Sequence, residues 1–73
     1  MTREEHLQWC KDRALEYLVE GNGRDAVASM LSDLSKHEAW QDNKMMPTLS
    51  FMGMTYATVN DLTAIRRWIK GFN

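Results

Sequence analysis

A single cysteine, Cys10, and a net charge of −1 in a chain of 73 residues limit what this protein can be. A chain of this length forms one domain with a small core, and one thiol excludes an intrachain disulfide and suits a reducing compartment. The nearly neutral charge gives no general attraction to nucleic acid or anionic membranes, and the sequence shows neither a run of roughly 20 apolar residues nor a secretory signal, so we expect a soluble cytoplasmic protein.

The first predicted helix covers about residues 3–20. Thr2 and Glu5 form a capping box at its start, in which each side chain bonds to the backbone N–H group of the other residue. Apolar residues then recur at helical spacing along one face. They are Leu7, Cys10, Ala14, Tyr17 and Leu18. Gly21 follows, at a position where a residue in the left-handed conformation commonly ends a helix.

A second helix is predicted at about residues 24–36, directly after an Asn22-Gly23 turn. Asn22 is its predicted N-cap, with Asp25 as the capping-box partner. The apolar face of this helix comprises Val27, Met30, Leu31 and Leu34. A short connection makes two helices antiparallel neighbours, so we expect the two apolar faces to pack against each other.

The second half of the chain begins with a predicted loop at residues 37–44, in which Trp40 is expected to be buried. Pro47 suits the first turn of a helix, and a short helix is predicted at about residues 48–56. Gly53 is expected to weaken that helix by about 1 kcal/mol relative to alanine.

Thr58 and Asp61 are interpreted as a second capping box, which starts a last helix at about residues 59–70 that Gly71 ends. The apolar face of this helix comprises Leu62, Ile65, Ile69 and Phe72. The sequence therefore predicts one all-α domain over residues 1–73. Its architecture is a small helical bundle of three to four helices, built on the N-terminal antiparallel helical hairpin.

His6 and Cys10 are the first candidates for chemistry, because they lie four residues apart on one helical face. With His37 or Glu38 they would approach a metal site, but tetrahedral zinc needs three or four ligands. Free cysteine is also a frequent core residue. The sequence contains no zinc-protease motif and no glycine-rich phosphate loop after a strand. We therefore expect no catalytic, metal or cofactor site, and a protein that is not an enzyme.

Protein binding is the favoured function, and Trp9 is its main indication. Trp9 lies outside the apolar face of the first helix and four residues before Arg13, whose guanidinium group can stack on the indole ring. Tryptophan and arginine dominate the binding energy of many interfaces. Alanine at either position is expected to retain the fold and to abolish capture of a partner. The alternative is that a later helix or loop covers Trp9.

The methionines give a second candidate surface, since four of the six lie between Met45 and Met54. Methionine adapts its shape and is frequent at permissive binding surfaces, but it also fills irregular cores. Met46 represents this segment among the candidate partner-binding residues.

Arg66, Arg67 and Lys70 form a basic group on the last helix. Such a group can contact phosphates, although the overall charge disfavours a dedicated nucleic-acid-binding protein. Basic residues also complement the dipole at the C-terminal end of a helix. The complete set of candidate partner-binding residues is Trp9, Arg13, Met46, Arg66 and Arg67.

Charge is distributed unevenly along the chain. Residues 1–40 contain five basic and eight acidic residues, whereas residues 41–73 contain four basic and two acidic residues. Opposite charges of this kind can attract across a dimer, and burial in a dimer interface would offset the small core. A self-associating helical module, such as a homodimer, is therefore a further alternative.

Three blocks of the sequence are informative together: MTREEHLQWCKDRALEYL at the start, AVASMLSDLSKH in the middle and IRRWIKGFN at the end. They resemble a family of short accessory proteins of tailed bacteriophages. That family has no assigned activity, so the resemblance carries over no functional residue. It implies a phage-encoded protein in the cytoplasm of an infected bacterium. The expected function is non-catalytic binding of a bacterial host protein, which is modulated or inhibited in host takeover or counter-defence.

Overall fold

The computed structural model describes residues 2–37, 40 and 44–72. It contains the helices α1 (Arg3–Val19), α2 (Gly23–Leu34), α3 (Met46–Thr58) and α4 (Leu62–Lys70), and no strand occurs in the described ranges. The predicted all-α class and the α1–α2 hairpin are confirmed. α3 packs on α2 and α4, and α4 closes the bundle by also packing on both helices of the hairpin. No described helix is both long enough and apolar enough to cross a bilayer.

The start of α1 and the turn that follows α1 match the sequence prediction. Thr2 and Glu5 form the reciprocal capping box, with both hydrogen bonds at 3.1 Å. Gly21 adopts the left-handed conformation, with φ of 79°. The N–H groups of Gly21 and Asn22 donate to the carbonyls of Leu18 and Tyr17, both at 2.9 Å. These two bonds are the Schellman pattern, which satisfies the last carbonyl groups of a helix and reverses the chain.

Asn22 is the N-cap residue of α2, as predicted, but its side chain makes no capping hydrogen bond, so the predicted capping box with Asp25 is wrong. The N–H group of Gly23, the first residue of α2, donates instead to Oδ1 of Asn60 at 3.0 Å. Asn60 lies in the turn between α3 and α4, and it adopts the left-handed conformation with φ of 50°. Asparagine tolerates this conformation better than most residues. The cap of α2 therefore comes from the other half of the chain.

The predicted capping box of the last helix is also wrong. Thr58 is the last residue of α3, and its hydroxyl donates backwards to the carbonyl of Met54 at 2.9 Å rather than capping the next helix. Asp61 is the N-cap itself, and Oδ1 of Asp61 accepts from the N–H group of Ala64 at 3.1 Å. α4 consequently starts at Leu62 rather than near residue 59.

The remaining helix limits differ more modestly from the prediction. α2 ends at Leu34, two residues before the predicted limit at 36. α3 is longer than predicted, because it extends from Met46 to Thr58 rather than from 48 to 56. Pro47 lies in the first turn of α3, as expected. Of the predicted loop at 37–44, residues 38, 39 and 41–43 lie outside the described residues.

The core is built from the apolar faces that the sequence predicts, together with two tryptophans. Its buried residues are Leu7, Cys10, Ala14, Leu18, Ala26, Val27, Met30, Leu34, Trp40, Ala57, Ile65, Trp68, Ile69 and Phe72. Trp40 and Trp68 both contact Phe72 edge to face, with ring centroids 5.7 and 5.1 Å apart. Trp40 is buried as predicted, and Trp68 is a core residue rather than part of the surface.

Gly53 lies where α3 packs directly on the Trp68 ring of α4. A Cβ atom built on Gly53 would lie 2.6–2.9 Å from three carbon atoms of the Trp68 indole ring. The indole Nε1 atom of Trp68 donates to the carbonyl of Leu49, one turn earlier in α3, at 3.0 Å. Gly53 has a low helix propensity, but its lack of a side chain leaves the space that the Trp68 ring occupies.

Lys11 joins α1 to the end of the chain. Its Nζ atom donates to the carbonyl of Phe72 at 2.6 Å and to the carbonyl of Lys70 at 3.3 Å. A cation at this position satisfies carbonyl groups that a helix C-terminus leaves unpaired, and it complements the helix dipole. The contact holds α4 against α1.

Candidate functional site

Trp9 lies on the surface of α1, as the sequence analysis expects. It is 38% exposed. The guanidinium carbon of Arg13 lies 4.9 Å from the centroid of the Trp9 ring, and the His6 ring centroid lies 5.9 Å away. The expected stacking of the arginine on the indole ring is present, and it leaves part of the aromatic surface accessible.

Arg13 also has a structural role that the sequence analysis missed. Its Nε atom donates to Oδ2 of Asp33 on α2 at 2.9 Å, and Asp33 is only 2% exposed. Lys36 and Ser29 donate to the same carboxylate at 3.3 and 3.4 Å. A buried carboxylate requires such partners. Because of this contact, alanine at position 13 is expected to lower the stability of the fold as well as to change the α1 surface.

His6 and Cys10 are close together, as their spacing predicts, and His37 joins them. The Cys10 sulfur lies 3.8 Å from both ring nitrogens of His6, whose ring centroid is 5.0 Å from that of His37. Within the described part of the chain, however, no three residues of the histidine, cysteine, aspartate and glutamate types are arranged to hold a metal ion. Glu38 lies outside the described residues.

The Cys10 thiol is fully buried, and its surroundings suppress ionisation. Burial raises its pKa from 9.0 to about 11, and the negative charge of Asp33 acts in the same direction. The thiolate is the reactive form of cysteine. The geometry therefore makes Cys10 a packing residue with low reactivity.

Cys10 is expected to react with iodoacetamide much more slowly in the folded protein than in urea-unfolded protein near neutral pH. The pKa of Cys10 is higher in the folded protein than in the unfolded chain, so the neutral thiol favours the folded state. This contribution to stability is complete below pH 9 and is lost as the pH rises from 9 to about 11. Mass spectrometry of timed alkylation reactions checks the reactivity. Equal rates for the folded and unfolded protein would contradict the assignment.

A different surface, on α3, is more unusual than the Trp9 region. No charged residue occurs from Met45 to Asn60, so the whole helix is uncharged. Phe51, Met52 and Met54 are nevertheless 72%, 40% and 60% exposed. We call these three residues the α3 face. Phe51 and Met54 are three residues apart and therefore adjoin on one side of α3, and adjoining exposed apolar residues commonly mark an interaction site.

A groove of about 420 Å³ lies beside the α3 face, between α3 and α4. It is lined by Trp40, Met45, Leu49, Met52, Arg67, Trp68, Gly71 and Phe72. We call it the α3–α4 groove. Apart from the Arg67 side chain, its lining is apolar and aromatic, which is typical of pockets that accept a side chain or small ligand.

The five candidate residues from the sequence fall on two separate surfaces. Trp9 and Arg13 lie on α1, and no hydrogen bond, ion pair or ring contact in the described ranges joins them to α3 or α4. Met46 is half-buried and packs against the core rather than facing solvent. Arg66 and Arg67 are both exposed, but only Arg67 lines the α3–α4 groove.

Phe51 is the most exposed aromatic residue, and the sequence analysis did not select it. Two signals could have found it. Phe51 lies off the apolar face formed by Leu49, Met52 and Tyr56, and its helix contains no charged residue to solvate the outer side.

Comparisons of the chain with protein-family models, with curated proteins and with solved structures find no match.

Proposed function

We propose that this protein is a non-catalytic binding protein that docks on another protein through the α3 face. The observation that carries the proposal is the exposure of Phe51 and Met54, at 72% and 60%, on a helix without any charged residue. Burying such side chains is favourable by about 1.5–3 kcal/mol each. Aromatic residues and methionine are enriched at the centres of protein interfaces.

The resemblance to phage accessory proteins supports a bacterial host protein as the partner. A small protein that covers part of a host enzyme can modulate or inhibit it without chemistry of its own. Host takeover or counter-defence in the cytoplasm of an infected bacterium is the corresponding biological role.

Trp9 supplies a second contact region in this proposal. Its ring is held in place by Arg13, which is itself fixed by Asp33, so little side-chain freedom would be lost on binding. Since Trp9 and the α3 face lie on different surfaces, a partner either wraps around the bundle or uses one of them. Separate variants at the two regions distinguish these arrangements.

The double variant Phe51→Ser/Met54→Ser is expected to fold normally and to lose its partner, because it removes exposed apolar area without touching the core. The matched control is Val19→Ser, which removes an apolar side chain that is 84% exposed on α1. The test is quantitative affinity capture from bacterial lysate, followed by reconstitution with the purified partner. Circular dichroism and thermal melting verify the fold of each variant.

Two outcomes would contradict the proposal. One is equal capture of the same partner by the wild type and the double variant. The other is a concentration-dependent dimer in light scattering that the double variant converts to monomer, because the α3 face would then be covered by a second copy.

A further inference from the structure

We propose that the α3–α4 groove receives an apolar side chain from an acidic segment of the partner protein, and that Arg67 pairs with a carboxylate beside that anchor. This inference rests on the proposed protein-binding function and specifies the chemistry of the partner. It is based on one observation: the exposed guanidinium group of Arg67 lies at the wall of an otherwise apolar groove.

The shape of the groove suits one anchoring side chain. Its volume is about 420 Å³, and its rim includes Met45 just before α3, Met52 on α3 and Gly71 just after α4. The rings of Trp40 and Trp68 form part of its wall. Interface hot spots are typically single aromatic or aliphatic anchors in pockets of this kind.

The charges near the groove indicate which kind of segment would bind there. Residues 44–72 contain four basic residues, Lys44, Arg66, Arg67 and Lys70, and one acidic residue, Asp61. Asp61 already accepts the N–H group of Ala64 as the cap of α4. No carboxylate among the described residues lies within 4.0 Å of the Arg67 guanidinium nitrogens, whereas Arg13 and Lys36 are both paired. An acidic segment is therefore electrostatically complementary to this side of the protein.

The same charges disfavour a second copy as the occupant. A two-fold symmetric pair that meets through this groove would bring the basic residues of both copies together, and like charges across an interface are unfavourable. An acidic segment of another protein places opposite charges there instead.

The experiment is selection of a random displayed peptide library on the immobilised wild-type protein, on Arg67→Glu and on the matched control Arg66→Glu. Arg66 neighbours Arg67 in α4 but does not line the groove. The wild type and Arg66→Glu are expected to enrich peptides with an aromatic or leucine residue next to aspartate or glutamate. Arg67→Glu is expected to lose the acidic preference and to favour lysine or arginine.

The strongest peptide is then synthesised and titrated against each protein, with tryptophan fluorescence as the signal. Arg67→Glu is expected to raise its Kd by about tenfold or more, because a repulsive charge replaces an attractive one, while Arg66→Glu changes it by less than about threefold. The wild-type Kd should also rise with salt concentration.

Three results would overturn the inference: enriched peptides without an acidic preference, equal Kd values for wild type and Arg67→Glu, or no enrichment at all. Binding to phosphatidylcholine–phosphatidylserine vesicles or to double-stranded DNA that only Arg67→Glu abolishes would also overturn it, since the groove would then serve a lipid or nucleic acid. If these results occur while Phe51→Ser/Met54→Ser still loses the captured partner, the protein-binding function stands and only the acidic segment is refuted.

Discussion

Gly53→Ala is expected to destabilise the protein by about 1–3 kcal/mol, the usual cost of forcing extra volume into a packed site. Alanine ordinarily stabilises a helix relative to glycine by about 1 kcal/mol. The sign reverses here because the new methyl group would lie 2.6–2.9 Å from the rigid indole ring of Trp68. The ring cannot simply move away, since its Nε1 atom is hydrogen-bonded to the carbonyl of Leu49.

Thermal and urea unfolding measure this effect. A loss of 1 kcal/mol corresponds to roughly 4–8 °C in Tm for a domain of this size. Thr55→Ala, at an exposed position of α3, is the matched control and should change Tm little. In a Trp68→Phe background, which removes part of the indole ring, Gly53→Ala should cost less. An unchanged or higher Tm for the single variant Gly53→Ala would contradict the packing described between α3 and α4.

Arg13→Ala is expected to destabilise the protein by about 1–3 kcal/mol, because it leaves the buried Asp33 carboxylate without its closest partner. Removing one partner of a fully buried ion pair costs about 3–5 kcal/mol. The smaller value is expected here because the Arg13 side chain is 48% exposed and Lys36 still reaches Asp33 at 3.3 Å. Arg13→Ala also releases the Trp9 ring.

A double-mutant cycle with Asp33→Ala isolates the contribution of the pair. Lys36→Ala is the matched control, and it should cost less because its ion pair with Asp33 is longer and its side chain is 64% exposed. If Arg13→Ala and Lys36→Ala were equally stable, the Arg13–Asp33 contact would not contribute as described. Trp9→Ala is consequently the cleaner test of the α1 surface, since it leaves Asp33 paired.

The helices themselves were predictable because their causes are local. Apolar residues at three- and four-residue spacing indicate a buried face, and the Thr2–Glu5 box and Gly21 mark the limits of α1. The stacking of Arg13 on Trp9 was predictable for the same reason, since residues four apart in a helix are neighbours.

The errors concern side chains for which the local pattern allows more than one hydrogen-bond partner. Asn22 looks like a helix cap from its neighbours, but Asn60, 37 residues away from Gly23, supplies the bond. Thr58 resembles a cap by its spacing to Asp61, yet its hydroxyl bonds backwards within α3. Local patterns list the side chains that are able to cap, and only the packed structure decides which of them does.

The candidate site likewise combines contacts that the local sequence predicts with contacts that only the packed structure shows. The local pattern indicates Trp9, but nothing in it marks Asp33, whose carboxylate is buried against Arg13. Met46 belongs to a methionine-rich run in which Met45, Met52 and Met54 are the more exposed residues. Exposure within a run of apolar residues depends on which side of α3 the other helices cover.

The hydrogen bond from the Gly23 N–H group to Asn60 affects how the protein unfolds. The first turn of α2 is completed by a residue that is correctly placed only when α3 and α4 are already docked. The start of the second helix therefore depends on the other half of the chain, and an isolated peptide of the N-terminal half should fray there. In the intact chain, this bond should slow deuterium exchange at the Gly23 amide.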